Sequence, residues 1–277
     1  MMQLLARLPL RAAHALGGAL GLAMLALSPT WRRRTRANLA QAGYREARLV
    51  RAAAMEAGRM IAEAPKLWLA PREEIVRLVR RVDGLEAVHA ARAQGRGIVY
   101  LTPHFGCFEV TPHVVAGFSP ITVLYRPAKR EGLRRAMEAG RARENVRLAA
   151  ANLGGVRQLL AALKRREQIG ILPDQVPAEG EGEWAEFFGR PAYTMTLAGK
   201  LAARADVAAF LVMCRRLPRG EGYHMRVLPL APAREGEPPA RRVNRALEEA
   251  IRECPEQYLW GYNRYKRPPG APPPPTA

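Results

Sequence analysis

The chain has 277 residues, 48% hydrophobic and 25% charged, enough for one large domain or two small ones and too apolar for wholesale disorder. Its 44 Lys and Arg against 25 Asp and Glu give a net charge of +19, which excludes an ordinary acidic enzyme surface and points to an anionic partner: nucleic acid, phospholipid or an acidic carrier protein. Three scattered cysteines, Cys107, Cys214 and Cys254, with no CxxC pair, argue against a disulfide framework or a zinc ribbon and suit a reducing compartment.

Ala12 to Ser28 is an uncharged apolar stretch, short for a spanning helix, which needs about 20 residues. Arg7 and Arg11 precede it; Trp31 and an Arg cluster at 32–36 follow. A buried core helix is one alternative and a signal peptide another, but the Pro-Thr-Trp and Arg run after Ser28 make a poor cleavage context. Residues 1–34 are therefore expected to form a membrane anchor or interfacial helix, with Trp31 at the lipid–water boundary and the arginines on anionic headgroups.

Residues 35–69 read as one or two amphipathic helices ended by Pro65 and Pro71, with short helices expected at 72–80 and 85–94. The texture then changes. Apolar runs at 97–102, 121–125, 146–150 and 168–172 read as buried strands, separated by helical stretches at 106–117, 129–144 and 155–166. Residues 173–193, rich in Pro, Gly and Glu, read as a long functional loop. A helix at 194–204, strands at 207–214 and 224–230 and a helix at 240–252 follow; the Pro-rich 268–277 is expected to be a disordered tail. Strands alternating with helices imply an α/β domain over 35–267, with a central, mostly parallel sheet flanked by helices.

In such sheets the site lies beyond the carboxyl ends of the strands. The first strand end delivers His104, with Glu109 five residues on and Gly106 between them to allow a turn. A His held by a carboxylate is a general base; the same spacing also suits a structural histidine. No GxSxG is present, so the proton such a base removes would come from a substrate hydroxyl. The second strand end gives Tyr125-Arg126-Pro127, where the arginine suits a phosphate or a carboxylate or a plain surface ion pair. A later strand gives Leu172-Pro173-Asp174-Gln175, with Asp174 placed to orient Arg126 or an acceptor, or to cap a turn. The loop aromatics around Phe187-Phe188-Gly189 could cover an acyl chain or fill the core. Cys107 reads as a buried, inert thiol.

Together and in order, His104-x4-Glu109, Tyr-Arg-Pro at 125–127, Leu-Pro-Asp-Gln at 172–175 and Phe-Phe-Gly at 187–189 resemble the bacterial lipid A biosynthesis (lauroyl/myristoyl) acyltransferases, relatives of the glycerol-phosphate acyltransferases. Arg36-Ala37-Asn38-Leu39 and the C-terminal Glu256-Gln257-Tyr258-Leu259-Trp260 with Asn263-Arg264-Tyr265-Lys266 extend the resemblance; Gly261-Tyr262-Asn263-Arg264 departs from the His-Arg-Arg common in relatives. The resemblance implies a membrane-bound O-acyltransferase at the cytoplasmic face of the bacterial inner membrane. It would move a fatty acyl chain from acyl carrier protein to a hydroxyl of a lipid A precursor, without metal or cofactor. A phospholipid, ornithine lipid or other glycolipid is the alternative acceptor. It implies His104 and Glu109 as the catalytic pair and Arg126, Asp174, Gln175, Phe188, Gly189 and Arg264 as substrate-binding residues. The basic surface then serves an acidic carrier protein and an anionic membrane. Nucleic acid is disfavoured as a partner by 6% aromatics, the lack of a recognisable binding module and the concentration of charge beside an apolar anchor.

Overall fold

A computed structural model describes residues 2–275 except Lys129. The chain starts with α1 (Met2–Arg7), α2 (Leu10–Leu27), α3 (Pro29–Gln41) and α4 (Ala47–Leu69). It continues through α5 (Arg72–Arg77), β1 (Val79–Asp83), α6 (Leu85–Ala93), β2 (Gly97–Leu101), α7 (Val110–Val115), β3 (Ile121–Tyr125), α8 (Glu131–Arg141), β4 (Val146–Ala150), α9 (Leu153–Lys164) and β5 (Gln168–Ile171). The remainder is β6 (Gly182–Phe187), β7 (Arg190–Met195), α10 (Thr196–Ala202), β8 (Val207–Arg216), β9 (Tyr223–Pro229) and α11 (Pro239–Glu253).

Among the described residues seven strands form one sheet in the order β1-β9-β8-β2-β5-β3-β4. The five from β8 to β4 run parallel; β9 pairs antiparallel with β8, and β1 runs alongside β9. The expected mostly parallel α/β sheet is thus present. β2 and β5 are buried throughout, as parallel strands covered on both faces must be. Alternate residues divide the core. Val99, Leu101, Leu124, Ala149, Ile169 and Ile171 belong to one cluster with α9, α10 and α11. Ile98, Tyr100, Ile121, Val123 and Val146 belong to a second with α6 and α7.

Several elements differ from expectation. β1 was expected as the end of a helix; its half-exposed Val-Arg-Arg-Val-Asp pattern carries no apolar run. Residues 173–193 are not all loop: β6 and β7 pair as an antiparallel hairpin. Its two-residue turn places Phe188 (φ 49°) and Gly189 (φ 72°) in the left-handed region, matching the twist of the strands they join. Helix α4 runs through Pro65; the carbonyl that this proline cannot bond belongs to Ile61, an exposed residue. Of the expected disordered tail, residues 276 and 277 lie outside the described residues. The earlier part lies against the hairpin, with Ala271 buried beside Val176 and Tyr193 and Trp184 Nε1 donating to Pro272 O at 2.9 Å.

The expected anchor is the 18-residue α2, the one described helix long and apolar enough to cross a membrane. It does not stand alone. Gly17 and Gly21 press against Ala54, Gly58 and Arg59 of α4 so closely that side chains there would strike backbone. Leu16, Leu20 and Leu27 remain exposed. At its end Arg32 Nη1 donates to the carbonyls of Leu25 and Ala26 at 3.0 and 2.9 Å, satisfying the last turn. Trp31, expected at a lipid boundary, is half-buried over Gly261. Asn38 donates to the carbonyls of Trp260 and Tyr262 at 2.7 and 2.8 Å, joining two segments of the resemblance 222 and 224 residues apart.

Candidate active site

The loop leaving β2 is pinned from several directions. Gly106 turns at φ 51°, with the Cys214 carbonyl standing where a side chain would be. Its N–H donates to Gln257 O at 2.9 Å and that of Cys107 to Cys214 O at 2.7 Å, while His104 O accepts from Leu259 N–H at 3.1 Å. Below the loop, Arg216 Nη2 donates to Gly106 O at 2.7 Å. Arg216 is itself buried between Glu63 and Glu56 of α4, at 3.0 and 3.1 Å. Glu63 also meets His14 of α2 at 2.9 Å and the Tyr223 hydroxyl at 3.0 Å. Burial alone would raise the Glu63 carboxyl, but the Arg216 charge and the hydrogen bonds from His14 and Arg216 bring it down to about 2.

His104 meets Asp174 twice. Its ring Nδ1 lies 2.8 Å from Asp174 Oδ1, and its backbone N–H donates to Oδ2 at 2.9 Å. With a carboxylate at Nδ1, the proton sits there and Nε2 is left as an acceptor, facing the Gln175 amide nitrogen at 3.1 Å. The Phe108 ring lies 4.9 Å away, centroid to centroid. The ring keeps 18% of its surface accessible, whereas Asp174 is buried. Burial alone would raise the Asp174 carboxyl; the His104 charge, the two His104 hydrogen bonds and the Arg264 charge together hold it below the ordinary aspartate value.

The expected His104–Glu109 pairing is replaced by His104–Asp174. Leu101 of β2 stands opposite Ile171 of β5, and His104 and Asp174 each lie three residues beyond that pair. Two parallel neighbours leaving the sheet in step bring those positions together. Glu109, at the cap of α7, instead receives Arg141 of α8, whose Nε donates to its two oxygens at 3.1 and 2.9 Å. Arg141 was not anticipated, because nothing in the sequence separates it from the other arginines of α8.

From His104 a cavity of about 250 Å³ runs along the second face of the sheet, under α7 and α8. Tyr100, Ile121, Val123, Val146 and Leu148 line it, alternate residues of three strands. On the central β5 that face carries Gly170, opposite Tyr100 and Val123, so the floor is open there. Glu109, Gln175 and Arg126 line the same cavity, and Arg126, exposed at the rim, also lines an adjoining cleft with Lys266 and Arg267.

Four expected binding residues do not line this cavity: Asp174, which meets it only through His104, and Phe188, Gly189 and Arg264. Phe188 packs against Phe187 and Trp260 with centroids 4.8 and 5.8 Å apart, and its N–H donates to Glu248 at 2.9 Å. Gly189 completes the hairpin turn. Arg264 is buried, donating to Tyr193 O and Thr194 Oγ1 at 2.8 and 2.6 Å; it reaches the site only through its charge on Asp174. Cys107 is buried and its thiol is pushed well up by that burial, then by the nearby Glu63, so it is held as the neutral thiol.

The model of the bacterial lipid A biosynthesis acyltransferase family matches residues 1–267. The chain belongs to this family. It is 29% identical over 214 residues to the lipid A biosynthesis palmitoleoyltransferase of Escherichia coli K12, covering 76% of this chain and 68% of that protein. Identity to the lauroyltransferase of the same organism is 28% over 220 residues, 78% and 71% of the two chains. The lipid A biosynthesis acyltransferase of Haemophilus influenzae is 26% identical over 181 residues, 64% and 56% of the two. The chain is therefore an acyltransferase of lipid A biosynthesis.

Proposed function

We propose that the protein moves a fatty acyl chain from an acyl carrier protein thioester to a hydroxyl of a lipid A precursor, with His104 as general base. The observation that carries this reading is the His104–Asp174 contact at 2.8 Å, at the mouth of a cavity with an apolar lower wall. Asp174 fixes the Nδ1–H tautomer, so Nε2 accepts the proton of the incoming alcohol; the Gln175 amide at Nε2 gives way to that hydroxyl. The alkoxide adds to the thioester carbonyl, the C–S bond breaks, and the imidazolium returns its proton to the departing thiolate. Asp174 stabilises the imidazolium throughout. The backbone donors of Gly106 and Cys107 are committed to Gln257 and Cys214, so the oxyanion draws on donors elsewhere around the rim.

The acyl chain lies along the cavity. From Ile121 to Tyr125 the wall measures about 13 Å at ~3.3 Å per residue. Ordinary bond lengths and angles advance an extended carbon chain by roughly 1.25 Å per bond, so about ten bonds fit. Glu109 and Arg141 neutralise each other inside this wall, so that the cavity presents no net charge to the chain. Arg126, Lys266 and Arg267 flank the rim where an acceptor phosphate would sit. The exposed leucines of α2 and the arginines after it hold the enzyme on the cytoplasmic face of the inner membrane.

Purified protein in detergent, given lauroyl carrier-protein thioester and a lipid A precursor, is expected to form the ester, detected by mass spectrometry. His104→Ala is expected to lower the rate by about 10²–10⁴-fold with its melting curve intact. Turnover like that of the unaltered protein in this variant rejects the mechanism, and transfer only to a phospholipid or ornithine lipid rejects the acceptor.

A further inference from the structure

The proposed transfer needs a donor for the oxyanion, and most donors around His104 are already committed. The backbone N–H of His104 donates to Asp174, that of Gly106 to Gln257 O and that of Cys107 to Cys214 O. Of the cavity-lining side chains, Tyr100 donates to Gln168, Tyr125 to Glu138 and Arg141 to Glu109. Gln175, which also lines the cavity, is different. Among the described residues its amide has one hydrogen bond, to His104 Nε2 at 3.1 Å, the nitrogen that takes the alcohol proton. An amide nitrogen carries two hydrogens, so one stays free. The backbone is fixed on both sides of it: Asp174 holds the His104 ring and N–H, and Val176 N–H donates to the Tyr262 hydroxyl at 2.9 Å. Two consecutive residues thus hold the two ring nitrogens.

Building on the acyl-transfer reading, we infer that the Gln175 side-chain amide is the oxyanion donor. A hydrogen bond that must break in every turnover only slows the reaction, unless its donor gains a better acceptor. As the alcohol takes Nε2, the amide turns to the thioester oxygen beside it. The hydroxyl proton passes to Nε2, the new C–O bond forms, and the carbonyl π pair moves onto that oxygen. The amide then donates to an anion, a bond roughly twice as strong as one to a neutral acceptor. Collapse restores the C=O, breaks the C–S bond, and the imidazolium returns its proton to the thiolate; the glutamine ends unchanged. The gain is made in the transition state and not in the ground state, which is what raises kcat.

The test is steady-state transfer from lauroyl carrier-protein thioester to a lipid A precursor. Gln175→Leu is expected to lower kcat and kcat/KM together by about 10²–10³-fold, with its melting curve intact. Gln175→Glu keeps the size but turns a carboxylate toward the oxyanion. It is expected to lose at least as much, and it carries the test if the leucine variant does not fold. In the His104→Ala background, adding Gln175→Leu is expected to lower the residual transfer again, because an oxyanion donor works without the base. No further loss there would leave the amide as a mere support for the ring and overturns the inference. So does a rise in KM with kcat unchanged, or full turnover in the Gln175 variants. A loss seen instead in Thr102→Val would assign the oxyanion to that cavity-lining hydroxyl. These outcomes leave the acyl-transfer reading standing. Absence of transfer to any acceptor by the unaltered protein removes that reading, and the oxyanion donor with it.

Discussion

Two charged clusters grip the same short loop and do opposite things with similar groups. At the open edge, Asp174 holds the His104 ring, which keeps a partly accessible face. Beneath, Arg216 holds the Gly106 carbonyl and is sealed among Glu63, Glu56 and, through Glu63, His14 and Tyr223. Both use a buried carboxylate kept ionised against the cost of burial by a basic neighbour. The difference is what that neighbour can still do. The imidazole has a second nitrogen at the cavity and can pass a proton. The guanidinium spends its donors on two carboxylates and a carbonyl and cannot lose its charge. On the proposed reading one cluster does the chemistry, while the other holds α2, α4 and the loop in one arrangement.

The sharpest break between the clusters is in the carboxylates around His104. Asp174→Asn keeps the shape but can donate to Nδ1 and so favour the wrong tautomer; transfer is expected to fall by about 10²-fold or more. Glu109→Gln, which disturbs only the Arg141 contact, is expected to cost about tenfold or less, on the scale of one weakened charged hydrogen bond. Steady-state rates on folded protein decide it. The reverse order would restore Glu109 as the partner of the base.

The lower cluster answers to stability. Arg216→Met leaves Glu63 buried without its guanidinium, and Glu56 with Arg59 alone, and is expected to cost about 3–5 kcal/mol. Urea unfolding measures it. Combining the change with Glu63→Gln removes one stranded charge and is expected to return part of the loss. Simple additivity of the two substitutions would mean that they do not share one network.

This contrast also explains what could be read in the sequence. Buried strands announce themselves as apolar runs, so β2, β3 and β5 were legible, and with them His104, Arg126 and Asp174 as strand-end residues. Which strand end meets which was not, because β5 enters the sheet between β2 and β3 although it follows both in the chain. His104 and Asp174 are 70 residues apart, and only the register joins them, whereas the five-residue interval to Glu109 is visible at once. The β6–β7 hairpin was hidden by its Glu and Gly content, although Ala185 and Phe187 alternate with polar neighbours as a half-buried strand requires. The lower cluster gave no sign: His14, Glu63 and Arg216 sit in three unrelated segments with no shared motif.

Acid separates the sealed groups from each other. His113 is buried neutral, its ring pushed down to about 4 by burial and by Arg143 and Arg72. The unfolded chain therefore binds the extra proton first, and stability is expected to fall as pH drops from about 6.5 to 4, by about 3 kcal/mol from the size of the shift. His113→Leu is expected to flatten that window. Glu63 has its carboxyl lowered to about 2, so its contribution is complete above about 4.5 and lost as pH falls toward 2. Urea midpoints across pH 2–7 should show two separate slopes. A single slope below pH 4.5 would remove His113 as a buried neutral group.

The smallest effect tests the open floor of the cavity. A methyl group at Gly170 would meet Ile121 and Val123 side chains at 3.5 Å, an ordinary contact, and the backbone there does not require glycine. Gly170→Ala is therefore expected to raise stability by about 0.5 kcal/mol, chiefly by restricting the unfolded chain. The same methyl takes space opposite Tyr100, midway along the wall, so KM for long-chain donors is expected to rise a few-fold while shorter chains are unaffected. The two readouts move in opposite directions because the glycine serves the ligand rather than the fold. A gain in stability with no change in chain preference would place the acyl chain elsewhere.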